Sequence, residues 1–337
     1  MDTSTGFISK LSSSDGINYI NIGLMLMSVV AAFILPFEVF LFSYAVLGPL
    51  HYLTEISWLE KKNYFIRSKS DIWVFVLFVV AITIGMFNEH SKINSFIASF
   101  LFAGFIYALV IIYVKRTAVK LLVVLAAFMV STIFSFNRYP NFPFLLFAVW
   151  LPTIIHVYFF TGAFILYGAM KGRSISGIVS LLVFIACGIA CFAYMPEQAG
   201  LVVSDYGKKA YSYFRLLNVS LYNTFGGGVL DADDEALFSA PKALAIMRFI
   251  AFAYTYHYLN WFSKTTVIKW NRIPKRRFAV ILALWILSVL LYYFSYRIGF
   301  YALFLLSMLH VFFEFPLNHQ TFIGIGKEFR SIFAKKH

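Results

Sequence analysis

The sequence predicts an all-α polytopic membrane bundle of about ten transmembrane helices, and three observations carry that prediction. Hydrophobic residues make up 61% of the 337-residue chain and charged residues only 13%, far below the charge of a soluble domain of this size. The apolar residues fall into long runs, each close to the length that crosses ~30 Å of hydrocarbon. The net charge of +13 is collected in the links between those runs. Such loop-confined lysine and arginine is the positive-inside pattern of a membrane protein, and nucleic acid is not expected as a partner.

Taken in order, the spans fall at roughly 18–35, 37–59, 71–87, 94–114, 117–136, 143–170, 175–195, 243–263, 277–297 and 300–317. Pro36 separates the first two, so a tight turn is expected there, and Pro152 is placed to kink the long sixth span. Basic residues follow the even-numbered spans. Lys61, Lys62, Arg67 and Lys69 follow the second; Lys115 and Arg116, with Lys120 just beyond, follow the fourth; Lys171 and Arg173 follow the sixth. A run from Lys264 to Arg277 follows the eighth, and Lys327, Arg330, Lys335 and Lys336 follow the tenth. The odd links are poorer in basic charge. An even span count with both termini cytoplasmic accounts for this alternation, in a cell membrane that we expect to be a bacterial inner membrane. The N-terminal "MDTSTGFISKLSSSDG" has no apolar core and does not read as a cleaved signal peptide.

The whole chain, 1–337, reads as one transmembrane domain with one external insertion, 196–242. Asp205 to Tyr222 alternates basic and aromatic residues, as an interfacial helix does, and "FGGG" at 225–228 is expected to break it. Asp231, Asp233, Asp234 and Glu235 lack EF-hand spacing and read as a solvated acidic turn. Cys187 and Cys191 share one apolar span and read as small packing residues.

The chemistry lies in the histidines. Of seven, His90 and His337 read as solvated. His51, His156, His257 and His310 each sit on an even span, so all four carriers run from outside to inside. His51 lies 14 residues after the outer start at Phe37, His156 13 after Pro143, His257 14 after Ala243, and His310 10 after Phe300. At ~1.5 Å per residue the first three lie about 20 Å below the outer face and the fourth about 15 Å. Four imidazoles on four helices therefore share one layer. Glu55 follows His51 by four and Glu314 follows His310 by four, spacings that put each pair on one helix face. Tyr256 and Tyr258 flank His257, Asn260 lies three residues beyond it, and His319 follows nearer the interface.

Ionisable side chains in a bilayer are costly and mark functional sites. The expected site is a metal centre ligated by His51, His156, His257 and His310. Glu55 and Glu314 accept the outer imidazole protons or bind directly. Tyr52, Tyr256, Tyr258, Trp261 and Phe159 are expected to line the cavity, with Tyr256 beside the two glutamates in the catalytic set. Zinc, iron and copper all accept imidazole. An all-histidine shell in an apolar cavity favours iron, with dioxygen and a lipophilic small molecule as co-reactants. The HxxxH and HxxHH boxes of membrane desaturases are absent, as is the paired-histidine spacing of cytochrome b-type haem sites. A proton-coupled transporter is the alternative, in which the same His and Glu groups relay protons and Gly48–Pro49 breaks a helix at midplane.

"LGPLHYLTEISWL" resembles the "LPHGALDHL"-like motif of the Brp/Blh family, the membrane-embedded β-carotene dioxygenases that form retinal. "IIHVYFFTGAF" is similar to that family's "YHFG..D" segment, "AYTYHYLNWFSK" to its "HSxRH", and "SMLHVFFEF" to its late "PH". The order of the four segments agrees. The resemblance implies that His51, His156, His257 and His310 are iron ligands and that the reaction is an oxygenation of carotenoid type. The family's second histidine in "HSxRH" corresponds to Trp261 here, Glu55 stands in place of an aspartate, and Tyr52 replaces a glycine.

The charge alternation makes topology testable. A reporter fused at Lys336 should read out as cytoplasmic; a periplasmic signal would break the ten-span count.

Overall fold

The computed structural model describes residues 13–62, 69–87, 91–135, 142–193, 203–231, 233–265, 269 and 272–334. The N-terminal stretch through Ser12, His90, His337 and the "NRYP" link lie outside them. The described residues contain no strand, and ten helical rods match the ten predicted spans. The rods are α1 (Ser14–Ile34), α2 (Pro36–Phe42, then π-wound Ser43–Leu47, then Gly48–Lys62), α3 (Lys69–Met86), α4 (Ser91–Tyr113) and α5 (Thr117–Ser135). They continue with α6 (Phe142–Phe144, π-wound Leu145–Phe160, Thr161–Gly172) and α7 (Ile175–Ala193). After the insertion, which carries α8 (Asp205–Tyr211) and α9 (Arg215–Phe225), come α10 (Pro241–Ser263), α11 (Lys275–Phe294) and α12 (Tyr296–Ala334). By length and composition, seven helices are apolar enough to cross a membrane. Asp71–Gly85 and Thr117–Ile133 are apolar but shorter.

α10 is the axis of the bundle. It packs against α1, α2, α6, α7 and α9, and 17 of its 23 residues are buried. Its polar residues Arg248, Thr255, His257 and Asn260 are buried along with its apolar ones, and Ala243, Ala245, Ala251 and Ala253, all fully buried, let its neighbours approach. α5 lies at the periphery on α4, with Leu122, Leu125, Met129 and Ile133 exposed.

The helix ends sort as the charge pattern requires. Lys61 donates to the Arg272 carbonyl and Arg277 pairs with Glu60, which joins the links after α2 and α10. Arg173 pairs with Glu328 at 3.2 Å, and Ser174 donates to Asp15. The start of α1 and the end of α12 therefore sit at the basic end of the bundle.

Three expectations are corrected. The tenth span does not stop near 317: α12 runs unbroken for 39 residues with Pro316 inside it. Lys120 is not a solvated link residue. It is buried against Asp71 at 2.8 Å, and Asp71 also accepts from the Tyr107 hydroxyl, so one carboxylate ties α3, α4 and α5. The middle of the insertion, read as one interfacial helix over Asp205 to Tyr222, is two helices, α8 and α9, joined at Ser212–Phe214. Tyr211 and Leu237 are fully buried in the insertion, and Tyr211 packs edge-on against Phe37. Tyr211, Phe214 and Phe238 pack on Phe37 and Phe40 of α2, with Phe214 meeting Phe40 at 4.9 Å, while Tyr206 and Phe225 are exposed.

Other features match the reading. α9 ends at Phe225, and Gly227 takes the left-handed conformation (φ 74°) that only glycine adopts cheaply. The acidic run serves as caps and pairs: Asp234 caps the short 3₁₀ turn Glu235–Phe238, Lys208 holds Glu235, and Arg215 lies 3.6 Å from Asp233. Cys187 and Cys191 are buried free thiols, the second donating to the carbonyl of the first.

Removing one member of a buried pair strands the other charge. Asp71→Ala should destabilise the protein by about 3–5 kcal/mol, read as an earlier unfolding transition in detergent. Replacing Asp71 and Lys120 together with apolar residues should recover most of the loss.

Candidate metal centre

The four histidines from α2, α6, α10 and α12 meet in the interior, each at most 6% exposed. His51 Nε2 lies 3.2 Å from His257 Nε2, and His156 Nε2 lies 3.2 Å from His310 Nε2. Ring centres of the remaining neighbours are 5.0 Å apart for His156–His257 and 5.4 Å for His51–His310. Ligand atoms of His51, His257 and His310 all fall within 4.8 Å of one another. All four rings turn the same nitrogen, Nε2, toward the others.

The outer nitrogens explain this orientation. His310 Nδ1 bonds the Ser307 carbonyl one turn back on α12. A carbonyl only accepts, so that nitrogen carries the proton and Nε2 presents a bare lone pair. His257 Nδ1 meets Thr161 Oγ1 at 2.8 Å. Glu314 Oε2 stands 3.4 Å from His156 Nδ1. If Nδ1 keeps its proton beside that carboxylate, His156 Nε2 is a second lone pair facing that of His310. If Nε2 donates to His310 instead, Nδ1 becomes an acceptor facing an acceptor. His51 Nδ1, His156 Nδ1, Glu55 Oε2 and Glu314 Oε2 are all buried without a hydrogen-bond partner, and buried polar groups of this kind call for an explanation. A cation held on the Nε2 side would meet one of them, Glu55 Oε2, which lies beside His51 Nε2. Metal–nitrogen bonds of ~2.0–2.1 Å at a tetrahedral angle separate two nitrogens by about 3.3 Å, close to the two spacings observed. His51, His257 and His310 are therefore close enough to share one metal ion, while His156 Nε2 is brought near through His310.

The glutamates divide. Glu314 lies at the outer nitrogen of His156, across the helix interface rather than on its own helix neighbour, His310. Glu55 Oε2 lies 3.0 Å from His51 Nε2, the inward nitrogen. Outer-sphere support would place Glu55 at Nδ1, so its position is that of a co-ligand. Of the two roles open for Glu55, geometry favours direct binding.

Local winding sets these positions. α2 is π-wound just before Gly48–Pro49 and continues as an α-helix through His51, so the chain does not break there. His156 lies inside the π-wound part of α6, five residues before Thr161. In an α-helix residues five apart diverge by about 140°. With i→i+5 winding they align, and both reach His257 on α10.

Several expected lining residues lie elsewhere. The Tyr256 hydroxyl turns away and donates to Asn21 at 3.2 Å and toward Asn260 at 3.5 Å, while its ring stacks on Phe252. It is not part of the site, and Asn260 serves Tyr256 rather than His257. Phe159 is 61% exposed on the outside of α6. His319 donates to the Phe105 carbonyl and packs at a tilt against the Phe105 ring, apart from the four histidines. Tyr52 and Trp261 do border the cluster, with ring centres 5.5 Å from His310 and 5.6 Å from His51 respectively. Trp261, the counterpart of a histidine in the resemblance, donates to Thr54.

A cavity of about 230 Å³ reaches the cluster at His156 and His310. Its wall is mostly apolar and aromatic, including Phe300, Phe304, Met308 and Tyr258, and Phe214 and Leu217 of the insertion line its far end. Sequence reasoning missed Thr161, Ser307 and this contribution of the insertion. Thr161 is visible only once the π register is known, and Ser307 acts through its backbone. No family model, no curated protein and no solved structure matches this chain.

Thr161→Val removes the hydrogen-bond partner of His257 Nδ1 while keeping side-chain volume. It should lower metal affinity roughly 10–100-fold, read by competition with a chromophoric chelator, with little change in thermal stability. Glu55→Gln should cost at least as much, since Glu55 reaches the inward side of the cluster.

Proposed function

We propose that this chain is a membrane-embedded, metal-dependent oxygenase acting on a lipophilic substrate, with iron bound by His51, His156, His257 and His310. The observation that carries the reading is the common inward orientation of four Nε2 atoms at the end of an apolar cavity. Imidazole donors accept iron, copper and zinc. Iron is favoured because an all-nitrogen shell beside a greasy cavity suits dioxygen and an apolar substrate, and because the histidine segments resemble those of the carotenoid-cleaving Brp/Blh enzymes. Bound there, iron would supply the redox chemistry with dioxygen.

The chain's own residues do the rest. Thr161 and the Ser307 carbonyl hold the outer protons of His257 and His310 and so fix both rings. Glu55 adds negative charge at the inward face of His51, which lowers the cost of concentrating a cation in low dielectric. Phe300, Phe304 and Met308 keep water from the cluster and offer an apolar wall. The cavity runs beside α12 from Phe300 to His310, ten residues or about 15 Å, so an elongated molecule is held with one region against the imidazoles.

Metal analysis of the purified, detergent-solubilised protein tests this directly. Roughly one or two first-row transition metal ions per chain are expected, iron foremost, and nitric oxide should give an EPR signal on the ferrous protein. His156→Ala should strip the metal. Full occupancy retained in His51→Ala, His156→Ala and His257→Ala would sink the reading.

A further inference from the structure

The cavity holds a polar feature that the metal reading does not use. Tyr254 and Tyr258, one turn apart on α10, both line it and are 5% and 4% exposed. Among the described residues neither hydroxyl has a hydrogen-bond partner, whereas Thr153 on the facing wall donates to the Val149 carbonyl. The neighbouring Tyr256 shows the contrast, since its hydroxyl is engaged by Asn21 on the opposite side of α10. A buried hydroxyl without a partner is costly, and two of them in one row on a cavity wall point to a ligand that meets them.

Position makes Tyr258 the more informative. Its ring centre lies 5.1 Å from that of His51 and 5.5 Å from that of His257. Its hydroxyl lies over Gly48, where a Cβ would stand 3.3 Å from the oxygen, so the missing side chain at 48 gives the phenol its room. An oxygen atom bonded to Tyr258 would therefore lie beside the cluster. Away from this end, the wall turns to Phe214, Leu217 and Phe300, which offer no charge and suit a hydrocarbon body.

We propose that the cavity binds an oxygen-bearing lipophile, an elongated apolar alcohol or ketone, and that Tyr258 donates a hydrogen bond to its oxygen and so sets which part of the molecule faces the histidines. The inference deepens the oxygenase reading and rests on it for the identity of the cavity as the substrate site. Tyr258 is a specificity-determining residue here. A wholly hydrocarbon ligand would leave its hydroxyl unmet and would bind more weakly.

Farnesol and its hydrocarbon counterpart farnesene have the length of the cavity and differ at one end. Binding of each to the protein in lipid nanodiscs, corrected for partition into empty discs, should favour farnesol by about tenfold, the scale of one buried hydrogen bond. Tyr258→Phe should reduce that preference to within about twofold by weakening farnesol and not farnesene. Tyr256→Phe should leave it intact, and Leu217→Trp, which fills the cavity, should weaken both ligands. A wild-type protein that does not distinguish the two ligands, binds neither, or keeps its preference in Tyr258→Phe overturns the proposal. Metal content measured on the same samples separates the two readings. Metal-free protein that keeps a Tyr258-dependent preference defeats the oxygenase and not the ligand class; metal-loaded protein without the preference does the reverse.

Discussion

Four imidazoles with their Nε2 atoms turned toward one another, 3.2 Å apart in two pairs, are the constraint around which this bundle is organised. Polar groups in the interior of a membrane protein must be met by protein. Here contacts reach outward from three of the rings to a second helix or a backbone turn: Thr161 of α6 meets His257 of α10, Glu314 of α12 lies beside His156 of α6, and Ser307 meets His310 within α12. The two contacts between helices help fix the rotation of α6, α10 and α12 about their own axes, which hydrophobic packing against an apolar surround specifies weakly.

The helices accommodate this with winding that a regular α-helix lacks. π-wound segments precede His51 and enclose His156, and Pro49 and Pro152 sit where a missing N–H would otherwise break an α-helical ladder. The extra residue per turn aligns His156 with Thr161 toward α10. Wide turns of this kind are frequent at functional sites, and here they serve to aim side chains.

The two ends of the layer differ in character. Toward the insertion lies the cavity, lined there by residues from α9 and the turn before it. Toward the basic end the space is filled: Trp261 packs on His51 and Trp58 packs on Trp261. The cavity and the histidine cluster are thus continuous, meeting at His156 and His310. The insertion is part of the cavity wall, with its Tyr211 and Phe214 packed against Phe37 and Phe40 of α2.

The sequence by itself determined the helices, their number and the sorting of their basic ends, because span length and charge are local properties that the bilayer reads one segment at a time. It also determined which four histidines would share a layer, since depth along a rod follows from counting residues. What it left open was direction around each rod. Tyr256, Tyr258 and Tyr254 sit at equal depth to within one turn, and only the packing of α10 decided that Tyr256 faces Asn21 while its neighbours face the cavity. Glu55 was legible as the partner of His51, but whether it meets the outer or the inward nitrogen depends on the ring's rotation, which His257 on another helix sets. Rotation and helix register are collective outcomes of packing, so they appear only when the rods are assembled.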